Sequence, residues 1–106
     1  MDISTIKYLA VELRSRLRAL GIQTDLIVLY GSFASGLGRL DSDIDLAVVS
    51  KDFGFDRFEE GSKLNLIASL VNPRIEAIPI GLYDFLNQDS ISPILAEIKK
   101  NGTPLI

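Results

Sequence analysis

The sequence predicts an α/β (α+β) fold, a small mixed β-sheet with helices packed on it. Three observations carry this. Apolar residues recur at helical spacing through residues 3–20; three short runs, 25–30, 44–50 and 74–80, are dominated by Ile, Leu, Val and Ala; and helical and strand patterns alternate along the chain. At 106 residues the chain has the usual size of one domain, and its 47% hydrophobic content suffices for a real core.

Taken in order, Ile3, Ile6, Leu9, Leu13, Leu17 and Leu20 form one stripe of a first helix, and Gly21 suits a left-handed stop after it. Residues 25–30 make the first strand, and residues 32–35 can begin a short helix directly behind Gly31. The apolar run after Asp45 makes a second strand over 44–50, buried on both faces. A loop over 52–56 leads to a helix between 55 and 71, with Phe58, Leu64, Ile67, Leu70 and Val71 as its apolar face. Pro73 then starts a third strand near 74–80. Helical pieces follow at 83–87 and 93–100, the second marked by Ser92 as N-cap, Pro93 in the first position and Gly102 beyond the end.

The chemistry concentrates between residues 26 and 49. Asp43 and Asp45 stand two apart at the head of the second strand, so both carboxylates project from one face while Ile44 points into the core. An Asp-Ser-Asp run also reads as a solvated turn. The apolar residues from Leu46 to Val49, however, draw Asp45 into the sheet end, where a carboxylate needs a partner. The chain has no histidine, and Arg39 is the sole nearby cation, which makes a hard cation a credible partner. Mg²⁺ is satisfied by one or two carboxylates together with substrate phosphates and water.

Phosphates have a candidate seat in the turn before it, a segment that by itself also reads as an ordinary strand-to-helix turn. Gly31 follows the first strand; a glycine lets an anion approach the backbone closely, a helix start offers free N–H groups, and the Ser32 hydroxyl adds a donor. Two other phosphate loops fail on inspection. Gly31 and Gly36 have the first spacing of a Walker A loop, but Leu37 and Gly38 stand where Lys and Ser/Thr belong, and the dinucleotide pattern G-x-G-x-x-G is missing. A haloacid-dehalogenase-like phosphatase fits poorly too, because its aspartates follow a buried strand whereas Leu40 to Ser42 is a polar approach.

Gly31-Ser32, ten intervening residues and then Asp43-Ile44-Asp45 resembles the GS-x10-D-x-D motif of the minimal nucleotidyltransferases, small members of the DNA polymerase beta superfamily. The resemblance spans nearly the whole chain, including residues 98–106, which are similar to the helix and closing strand of these proteins, and it leaves no second domain over. It implies a third carboxylate from a later strand, a place matched by Glu76 where Asp is more usual. On this reading Asp43 and Asp45 hold the Mg²⁺ of the nucleotide, and Asp43, Asp45 and Glu76 together hold a second Mg²⁺ that activates an acceptor hydroxyl, with ATP as the substrate and pyrophosphate leaving. Gly31 and Ser32 align the triphosphate, with Arg39 and Ser42 as further candidate nucleotide-binding residues.

Composition limits the alternatives. Without cysteine there are neither disulfides nor thiolate metal sites, and without histidine the commonest general base and zinc ligand are gone, so catalysis must run on carboxylates and metal. No apolar run reaches the ~18 residues of a membrane span. The charged residues among the first 20 exclude a signal peptide, and a cytoplasmic location is expected. A net charge of −3 and a pI near 4.8 disfavour an extended nucleic-acid footprint. The resemblance implies a partner as well: stand-alone members of this family are commonly paired with small helical HEPN-domain ribonucleases, serving as antitoxins that adenylylate the toxin. The alternatives are an enzyme modifying a small molecule and a non-catalytic module that binds nucleotide or neutralises a partner by contact.

Overall fold

The computed structural model describes residues 1–34, 43–87 and 92–106. The element order is α1 (Ile3–Ala19), β1 (Leu26–Tyr30), α2 (Gly31–Ala34), β2 (Ile44–Ser50), α3 (Arg57–Val71), β3 (Ile75–Gly81), α4 (Leu82–Asn87), α5 (Pro93–Asn101) and β4 (Thr103–Pro104). Four strands form one sheet in the order β3-β2-β1-β4. The pairs β1–β2 and β1–β4 are antiparallel and β2–β3 is parallel, so the sheet is mixed, as expected from the sequence.

Local chemistry sets the helix ends. Asp2 caps α1 by accepting from the Thr5 amide at 2.9 Å, and Arg16 and Arg18 in the last turn complement the helix dipole. Gly21 ends α1 with φ of 82°. Its N–H donates to the Arg18 carbonyl and the Ile22 N–H to the Leu17 carbonyl, the paired bonds of a Schellman stop. Helix α3 begins at Arg57 rather than 55 because Asp56 is its N-cap, accepting from the Glu59 amide at 3.1 Å. The loop ahead of it closes on the Glu60 carboxylate, which accepts from the amides of Gly54, Phe55 and Asp56. Burial opposes ionisation of Glu60, but these three donors prevail and hold its carboxyl below the ordinary glutamate range.

The sheet has two unlike faces. Against one, α1 and α3 bury Ile6, Leu13, Leu17 and Leu64 over Ile27, Leu29, Leu46 and Val48. Each such side chain contributes about 1.5–3 kcal/mol by leaving water. Against the other face α5 packs Ile98 on Val28 and Ala47, with Phe85 of α4 beside them. Phe58 and Leu70, expected on the buried side of α3, are 86% and 65% exposed; the sheet takes the stripe Leu64, Ile67 and Ala68, and those two residues fall round the helix from it. The third strand starts one residue later than expected, at Ile75, and runs to Gly81; α4 begins at Leu82.

Strand β3 lies at the rim, yet several of its outward backbone groups are occupied. The Ile75 N–H donates to the Asn72 carbonyl. The Asn65 side chain reaches from α3 to accept from the Ala77 N–H at 2.8 Å and donate to the Ala77 carbonyl at 2.7 Å, and two residues further on Pro79 has no N–H to offer. No described helix is long and apolar enough to cross a membrane.

Candidate active site

The registers of two strand pairs assemble the site. Tyr30 lies opposite Asp45 in the β1–β2 pair, and Asp45 opposite Glu76 in the β2–β3 pair, so the three form a row across the end of the sheet. Residues facing one another across strands ~4.8 Å apart share a face. That face is the one carrying Val28, Ala47 and α5, while Ile44 and Ile75 turn the other way into the main core. Asp43 stands exposed just ahead of β2, two residues before Asp45. Asp45 is half-buried inside the strand, as its apolar continuation implied, and Glu76 is exposed near the sheet rim.

The turn after β1 touches the carboxylate directly. Gly31 has φ of 73°, which disfavours any side chain, and a Cβ placed on it would fall on the Asp45 Oδ2 atom and lie 3.2 Å from Asp45 Cγ. The backbone angle demands the glycine, and the absence of a Cβ lets the Asp45 carboxylate lie close against the turn. Ser32 follows in α2, partly buried and engaged by the surrounding protein. Arg39 and Ser42 lie outside the described residues.

The electrostatics are those of an acidic row. Burial pushes the Asp45 carboxyl above the ordinary range, and the negative charges of Glu76, Asp43 and Glu97 add to the shift. The Tyr30 hydroxyl is pushed up to about 12 by burial and then by Asp45, Glu76 and Glu97. Among the described residues no three carboxylates close up into a ready-made metal cage. The donor set nonetheless fits Mg²⁺: hard oxygens only, a half-buried aspartate whose charge its neighbours disfavour, and a glycine turn against it where phosphate oxygens complete the coordination.

Three residues of this region were not singled out by sequence reasoning. Tyr30 carried a signal, since it ends β1 immediately before Gly31. Glu97 is visible only once Ile98 is known to pack on Val28 and Ala47, one step along the sheet from Tyr30 and Asp45. Arg74 corrects the reading of Arg39 as the sole nearby cation: its guanidinium lies over the Phe33 ring of α2, 5.6 Å from the centroid. The more enclosed grooves lie elsewhere. One of about 390 Å³ is lined by Phe55, Ile80, Gly81, Asp84 and Leu95, by the far end of β3.

Comparisons with known proteins bear on the family and the fold. A family model described as nucleotidyltransferase domain matches residues 10–101. A sequence comparison with curated proteins finds no match. Among solved structures, the chain is similar to a toxin–antitoxin crystallised with AMP-PNP, at 27% identity over 94% of this chain and 72% of that one, with a TM-score of 0.56. It is also similar to a toxin–antitoxin MntA-HpeT mutant with two Asp-to-Glu substitutions, at 25% identity over 100% of this chain and 73% of that one, with a TM-score of 0.54.

Proposed function

The chain belongs to the nucleotidyltransferase domain family, and from that premise we propose that it is an antitoxin transferring AMP from ATP to a hydroxyl of a partner toxin, a HEPN-domain ribonuclease. The observation that carries the reading is the row of Asp45 and Glu76 with the Gly31 turn pressed against Asp45. It brings carboxylate oxygens and a phosphate-accepting turn together, as a nucleotidyl transfer requires.

Each group has a task in that chemistry. Gly31 and Ser32 hold the triphosphate in line, an orientation effect worth several kcal/mol of barrier. Asp43 and Asp45, with Glu76, are the residues that would hold Mg²⁺, which when bound offsets the negative charge of the phosphates and acidifies the acceptor hydroxyl. Glu76, exposed beside Asp45, faces the side open to an acceptor. The hydroxyl oxygen bonds to the α-phosphorus, the bond from that phosphorus to the bridging oxygen breaks, pyrophosphate leaves, and the hydroxyl proton passes to a carboxylate or to solvent. Support for ATP comes from the relative crystallised with AMP-PNP, and support for a toxin acceptor from both toxin–antitoxin structures.

Intact-mass spectrometry of the partner, incubated with this protein, ATP and Mg²⁺, tests the proposal. The expected increment is about 329 Da per AMP transferred, and none with the Asp43→Asn/Asp45→Asn double variant. One observation favours a second reading. Glu76 takes a place where Asp is more usual, as in a module that neutralises its partner by contact. Silencing of the toxin by wild type and double variant alike, with no mass change, decides for that reading.

A further inference from the structure

We propose that Arg74 is a further phosphate-binding residue, gripping the tail of the triphosphate beyond the reacting phosphate; this rests on the nucleotidyl-transfer reading above. The backbone of Arg74 is fixed on both sides, its N–H donating to Asn72 Oδ1 at 2.8 Å and its carbonyl accepting from the Ile44 amide at 2.8 Å. Its Cα thus sits beside the head of β2, the strand that Asp43 and Asp45 introduce. Its guanidinium is held over Phe33, which directly follows Ser32. Because β2 lies between β3 and β1, a side chain running from the start of β3 to α2 spans the end of β2 where nucleotide must enter.

The charge balance and the position both fit. A triphosphate approaching Asp43, Asp45, Glu76 and Glu97 meets negative charge, and an arginine on the rim of the same sheet end offsets it. The reacting phosphate has to lie at the Asp45–Glu76 row. The Arg74 head lies instead at Phe33, the residue after Ser32, and the proposal has the remaining phosphates extend toward it. A guanidinium carries its N–H donors as a rigid in-plane fork, the geometry that suits two phosphate oxygens at once.

Calorimetry of the full chain with Mg²⁺ and either ATP or AMP tests this. Arg74→Met is expected to weaken ATP binding roughly tenfold while changing AMP binding by less than about twofold, so that the preference for ATP collapses. Arg74→Lys, which keeps a cation over Phe33 and hence guards against misfolding, is expected to fall between them because it loses the fork. Wild-type ATP affinity in both variants, alongside loss in Asp45→Asn, overturns the Arg74 assignment and leaves the site reading standing. Equal losses for ATP and AMP with a lowered Tm reduce Arg74 to a structural brace and overturn it as well. Failure of the wild type to bind ATP with Mg²⁺ overturns the site reading, and this proposal with it.

Discussion

Asp45 sits where its own charge is disfavoured, half-buried with Glu76 across the strand and Asp43 two residues back. Its folded pKa is raised above the unfolded value of 3.8, so the native state holds the proton more tightly than the unfolded chain does. The stabilising contribution is therefore full below 3.8 and is lost as pH rises through the raised value. At neutral pH the ionised group is a net cost. Asp45→Asn is expected to stabilise the metal-free protein at pH 7 by on the order of 1 kcal/mol, or about 4–8 °C in Tm, after allowance for solvent screening. The gain should shrink toward pH 3.8. Thermal melts across that range check it, and an unchanged or lower Tm at pH 7 would show that the acidic row is not under electrostatic stress. Glu76 behaves differently because it is exposed. Glu76→Gln is expected to lower transfer by about 100-fold or more while leaving Mg-ATP affinity nearly intact, and Glu76→Asp to retain activity. Single-turnover transfer beside calorimetry separates the two effects; a wild-type rate in Glu76→Gln would leave it an ordinary strand glutamate.

At the scale of elements, the rim of β3 depends on one side chain from α3. Asn65→Ala removes both hydrogen bonds to Ala77 and is expected to cost about 1–3 kcal/mol. It also frees a strand edge, so self-association should rise with concentration. Urea titration and light scattering measure the two consequences; a monomeric variant of unchanged stability would count against them. Much of this level was legible in the sequence, because periodicity and caps are local. The span 44–50, Gly21 as a stop and Ser92 with Pro93 all follow from neighbours within a few residues. What could not be read was long-range. Whether Phe58 or Ala68 faces the sheet depends on how α3 is rolled on β3, and Arg74 meets Phe33 only because the strand order interleaves β2 between distant segments. Glu97 joins the acidic row through helix docking, which no local pattern records.

For the molecule as a whole, fold and site are linked through charge. A ligand that binds the folded chain alone stabilises it by mass action, about 2.7 kcal/mol at a concentration 100 times Kd. Mg²⁺ and ATP together are expected to raise the Tm by several degrees, ATP alone by far less, and neither to act on the Asp43→Asn/Asp45→Asn variant. Differential scanning fluorimetry tests this, and an equal shift from ATP with and without Mg²⁺ would argue that nucleotide does not bind through the aspartates.

The occupied rim of β3 has a consequence for traffic. Asn65 and Pro79 close one side of the sheet to any incoming strand, β4 with its own proline borders the other, and α1 and α3 roof one face. Among the described residues the remaining face, beside α4 and α5, is the one on which β2 and β3 carry Asp45 and Glu76. The architecture works as an address: with the described rim and one face occupied, the face left to a visitor is the one that carries the carboxylates.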